Sequence, residues 1–256
     1  MITVTVTNQK GGVGKTSTAH ALITGLYAYG YKVLAIDLDP QTNLTYTSGN
    51  FPDLPTLYDA FTGKASIQDV ITKSSVGYDV APGDISFSSA DMEFTAKNKT
   101  FILKGLLEPI KENYDYCIID NAPDLGMNVI NALVAADEIV IPVNLDCYSL
   151  DGLEELVDQV NNVRQLNRKA HIAGVLITDY EKSDTSEAAE TWLREKSGLP
   201  VFNTIIRHSK KVKDSTFYHK TPIAYCVRSG AAQGYKNFIL EYMNKPHMAA
   251  EQKERG

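Results

Sequence analysis

Residues 8–17, NQKGGVGKTS, constrain this chain more than any other stretch of it. They follow an apolar run at 2–7 and precede Ala19, Leu22, Ile23 and Leu26, which recur at helical spacing. A glycine-rich turn between a strand and a helix lets backbone N–H groups converge on phosphate oxygens, and the helix N-terminus favours negative charge there. Gly11, Gly12, Val13, Gly14, Lys15, Thr16 and Ser17 are therefore the expected nucleotide-binding residues. Lys15 is placed to hold the β- and γ-phosphates, and the Thr16 hydroxyl to ligate Mg²⁺, with ATP as the nucleotide.

The rest of the chain repeats the same local grammar. Apolar runs at 32–36, 78–81, 115–119, 138–143, 172–178 and 201–206 read as further strands, several of them apolar on both faces. Leu150, Leu153, Leu156, Val157 and Val160 form an amphipathic helix between two of them, and Tyr235, Phe238, Ile239, Tyr242 and Met243 form another near the end. The expected fold is α/β, a mostly parallel twisted sheet covered by helices on both faces, with one domain over 1–245 and a polar tail over 246–256.

Two acidic motifs close strands. Asp37 and Asp39 in IDLDPQ follow the second run, where ligands sit in open α/β sheets. Strand alternation would point both the same way, one to orient or deprotonate an attacking water and one to support a metal's water shell; capping before Pro40 is the structural alternative for either. Asp120 ends the run YCIID and is expected to bind Mg²⁺ through water; Asn121 follows it.

The loop has Gln9 where the general GxxxxGK(S/T) pattern has its first glycine, and a second lysine, Lys10, comes next. KGGVGKT resembles the deviant Walker A motif of the ParA/MinD superfamily, DxDPQ its second switch motif, and the stretches at 131–143, 148–153 and 80–85 the ParA/Soj middle region. The resemblance implies that Lys10 contacts phosphates held by the partner subunit of a nucleotide-sandwich homodimer. It also implies that Asp39 is the catalytic aspartate and a further metal-site residue, and that slow ATP hydrolysis is stimulated by a ParB-like centromere-binding partner.

The formal charge is −6, from 25 Lys and Arg against 31 Asp and Glu, which excludes a surface basic everywhere. Within 206–222, however, Arg207, Lys210, Lys211, Lys213 and Lys220 face only Asp214. Such a patch suits sequence-independent DNA binding, and in Soj-like proteins the matching segment carries it, with Arg207 the best match and Lys210 in place of a second arginine. The Pro usual before that arginine is Ile206. The function expected is DNA partition by a nucleoid-associated ATPase; the alternative is a related ATPase that positions a protein complex.

Other classes fit less well. Cys117, Cys147 and Cys226 lack CxxC spacing and make neither a zinc site nor a cluster-bearing iron protein. No apolar run approaches the ~20 residues of a membrane span, the first residues resemble no signal peptide, and the late aromatic stripe reads as core packing, so the expectation is a cytoplasmic protein with no membrane partner.

Overall fold

The computed structural model describes residues 1–51, 53–89, 99–145, 147–218, 220 and 222–244, without the side chains of 147–151, 213, 216 and 217. Its centre is an eight-stranded sheet in the order β3-β4-β2-β5-β1-β6-β7-β8. The strands are β1 Ile2–Val6, β2 Val33–Asp37, β3 Thr72–Lys73, β4 Asp79–Ala81, β5 Tyr116–Asp120, β6 Glu138–Val143, β7 His171–Tyr180 and β8 Val201–Arg207. All pairs are parallel except β3 with β4. The seven expected strands are present; β3, two residues with no apolar pattern, was not expected.

Alternation along the buried strands sends neighbouring residues to opposite faces. Val33 and Ala35 pack under helix α1, Lys15–Ala28, while Leu34 and Ile36 pack on the other face beside Leu103 and Phe87. The helix Gly230–Met243 seats Tyr235, Phe238, Ile239 and Tyr242 in the same layer as α1, so the late stripe is core as expected. Leu153, Leu156 and Val160 pack with Ile139, Ile141 and Ile177 on the opposite face; the Leu150 side chain and the tail lie outside the described residues. Gly25 of α1 meets Ile239 so closely that an added Cβ would stand 2.5 Å from Cδ1.

Central position in the order follows from this topology. β1 lies between β5 and β6, so the loop after it opens at the middle of the sheet's C-terminal edge, where β2 and β5 also end.

Candidate functional site

The phosphate loop leaves β1 through Asn8, whose side chain ties the start of the turn to β6. Its Nδ2 donates to the Pro142 carbonyl at 2.7 Å, and its Oδ1 accepts the Lys10 N–H at 2.9 Å. Gly12 and Gly14 sit at φ 77° and 85°, a region that β-carbons disfavour, and Gly14 caps α1. Gly11, Gly12, Gly14, Lys15, Thr16 and Ser17 line one crevice of about 440 Å³, together with Asp39 and Gln41. Val13 does not: its side chain is buried, and its carbonyl accepts from the Thr178 hydroxyl. A larger groove of about 770 Å³ runs beside α1, sharing His20, Thr47 and Lys220 with the crevice, but none of its lining residues is acidic.

The Lys15 ammonium donates to the Lys10 carbonyl at 2.8 Å, folded back across the loop. Burial lowers its pKa, against which Asp120, Asp39 and Asp124 pull upward. The cation thus stands among three carboxylates that arrive from two different strand ends. Lys10 itself is half-buried and its backbone belongs to the turn.

Asp37 and Asp39 take different parts. β2 ends at Asp37, so alternation does not extend to Asp39. The Asp37 carboxylate accepts from the Asp39 N–H at 3.1 Å and from the Thr45 N–H and hydroxyl at 2.8 and 2.7 Å. Three donors occupy it, which is the structural alternative; burial still pushes its pKa up to about 6. The Asp39 carboxylate accepts the Gln41 N–H at 2.9 Å and lines the crevice. Its pKa is raised by burial, while Gln41 and Lys15 oppose the rise.

Asp120 pairs in register with Asp37 on the adjoining strand and is fully buried. Burial first and the Asp37 charge second raise its pKa well above the ordinary carboxylate range, with Thr16 and Lys15 pulling the other way. Although Thr16 is close enough to exert that pull, neither Asp120 oxygen has a hydrogen-bond partner of ordinary geometry. A buried carboxylate left so is costly unless positive charge reaches it. Among the described residues no three acidic, His or Cys side chains converge to cage an ion alone. The donors instead fit a cation that keeps most of its own water, held by Thr16 and Asp120 beside phosphate oxygens, which is the behaviour of Mg²⁺. Asn121 is structural, its Nδ2 donating to Thr5 Oγ1 and the Val6 carbonyl at 2.7 and 3.0 Å.

Three contributors escaped sequence reading. Asp124 is a second acid four positions after Asp120, a spacing that could have been noticed. Thr178 on β7 bonds the loop, and the Tyr235 hydroxyl lies 3.4 Å from where a Gly14 Cβ would stand; both looked like ordinary core residues.

The basic segment begins at the end of β8. Arg207, Lys210 and Lys211 are exposed, Lys210 and Lys211 on the helix Lys210–Phe217, with Lys211 3.5 Å from Asp214; the Lys213 side chain lies outside the described residues. His208 tethers the segment to the end of β7: its N–H donates to the Tyr180 carbonyl at 2.9 Å, and its Nδ1 lies 2.8 Å from Asp179 Oδ1. Two acids, Asp179 and Glu181, therefore adjoin the patch.

Comparison with known proteins agrees with this geometry. Residues 1–172 match the family described as AAA domain. The chain is 34% identical over 249 residues to the chromosome partitioning protein ParA of Caulobacter vibrioides, covering 94% of this chain and 93% of that one. It is 36% identical over 248 residues to the sporulation initiation inhibitor protein Soj of Bacillus subtilis, covering 93% and 96%. Cobyrinic acid a,c-diamide synthase of Mycobacterium smegmatis, solved with a bound ATP analogue and magnesium, superposes with a TM-score of 0.81 at 26% identity over 93% of each chain. A deviant phosphate loop in the middle of a parallel sheet, with acids ending the two strands beside it, and relatives matching nearly end to end place the chain in the ParA/Soj-type family of P-loop ATPases.

Proposed function

We propose that this protein is a MgATP-dependent, dimerising ATPase that binds DNA without sequence preference in its ATP state and partitions plasmid or chromosomal DNA with a ParB-like partner. The observation that carries the nucleotide half is the Asp120 carboxylate, fully buried against Asp37 with Lys15 and Thr16 beside it. When bound, ATP with its Mg²⁺ supplies the transferable phosphoryl group. Lys15 and the loop amides hold the phosphates, Thr16 and Asp120 hold the hydrated cation, and Asp39 orients the attacking water. Lys10 reaches the phosphates of the second subunit, so that ATP joins two copies face to face. The raised pKa of Asp39 suits a group that handles a proton, and the same burial keeps its charge from being screened.

The DNA half rests on Arg207, Lys210 and Lys211 standing exposed on an otherwise acidic chain, and on the ParA and Soj relatives. Asp179 and Glu181 beside the patch favour the second reading, a switch that positions a protein complex. The two separate in one experiment: DNA retention with no nucleotide, ADP, ATP, and ATP with Asp39→Ala. Retention only with ATP, prolonged by Asp39→Ala, is the expected outcome. Equal weak retention in every state would overturn DNA partition in favour of protein positioning.

A further inference from the structure

Thr178 is buried near the end of β7, and its hydroxyl sits among three acceptors: the Val13 carbonyl at 2.8 Å, the Asn144 Oδ1 at 2.9 Å and the Val143 carbonyl at 3.1 Å. One hydroxyl proton serves one acceptor well. The Val13 bond is the shortest of the three. This contact joins the phosphate loop to a strand 165 positions away.

Its effect on the loop follows from peptide geometry. No described peptide bond is cis, and in a trans unit the carbonyl and the N–H point in opposite directions. Holding the Val13 oxygen toward β7 therefore turns the Gly14 N–H the other way, away from β7, and Gly14 lines the crevice with Lys15 and Thr16. Glycine flanks this unit, so without a tether the peptide plane turns over at small cost. The methyl and Cβ of Thr178, 3.9 and 4.0 Å from the Gly14 Cβ direction, close the same side of the turn.

We infer that Thr178 is a positioning residue for nucleotide binding: its hydroxyl presets the Val13–Gly14 peptide so that the Gly14 N–H meets a phosphate oxygen without reorganisation. This rests on residues 8–17 being the nucleotide cradle. The test is titration of MgATP and MgADP into the full-length protein and its Thr178→Val, Thr178→Ala and Thr178→Ser variants, with steady-state hydrolysis alongside. Thr178→Val should raise the Kd for either nucleotide, and the KM for ATP, about ten-fold, leave kcat at saturation within about two-fold, and be rescued by Thr178→Ser. A folded Thr178→Val protein with wild-type Kd overturns the inference. If Thr178→Val does not fold, Thr178→Ser against Thr178→Ala decides: equal Kd values overturn it, and a roughly ten-fold gap in favour of serine supports it. Absence of nucleotide binding by the wild-type protein would overturn the cradle itself, a failure distinct from a Thr178 series that all bind alike.

Discussion

At the scale of single residues, the site holds charge in places that favour function over stability. Asp120 is the clearest case, since its buried carboxylate faces another carboxylate on the next strand, and burial with that charge outweighs the pull of Lys15 and Thr16. Asp120→Asn removes that charge at nearly constant volume. In nucleotide-free protein it should stabilise by about 1–2 kcal/mol, roughly 2–6 °C in Tm, while lowering ATP hydrolysis at least about a hundred-fold. Calorimetry showing a lower Tm would contradict this account of Asp120. His20 gives the opposite lesson. Burial lowers its pKa to about 4, and its Nε2 meets the Tyr78 hydroxyl at 3.0 Å. Between about 4 and the ordinary 6.5 the unfolded chain binds the proton more tightly. The stability contribution of His20 is therefore complete above pH 6.5 and lost as pH falls toward 4, by roughly 3 kcal/mol. Urea unfolding from pH 7 to 4.5 should show a shallower acid decline in His20→Gln than in the wild type.

At the scale of elements, what the sequence disclosed depended on contiguity. Residues 8–17 were legible because strand, loop and helix lie within one short run, and Asp120 because an apolar run stops at it. Asp39 was found for a partly wrong reason, as the strand whose alternation was invoked ends two residues earlier, at Asp37. Thr178 and Tyr235 were missed because a strand threonine and a helix tyrosine carry no local mark of what they will face after folding. β3 escaped because two residues hold no period. Packing of α1 on the late helix is a similar tertiary fact, written in Gly25 only once its neighbour is known. Gly25→Ala should cost about 1–3 kcal/mol against Ile239, and Ile239→Val, which removes the closest atom, should recover part of it in a double-mutant cycle. Additive single effects would show that the two helices do not press on each other there.

At the scale of the whole molecule, charge is what separates one end from the rest. A chain of net charge −6 repels a polyanion at long range, so the proposed DNA affinity rests on local cations such as those near the end of β8. That makes binding steeply dependent on salt: retention by the ATP form should fall between 50 and 200 mM salt, and Arg207→Glu with Lys210→Glu should abolish it while leaving ATP hydrolysis intact. Salt-insensitive retention would place the contact elsewhere. The order of the sheet adds a last consequence. β2 and β5, which bring the aspartates, lie on one side of β1, and β6, β7 and β8, which lead to the cations, lie on the other. The loop stands on the seam, and the AAA-domain match stops at residue 172, just as β7 begins. That boundary does not divide the machinery, because Thr178, beyond it, bonds the loop at Val13, so the nucleotide crevice is completed from both sides of the seam.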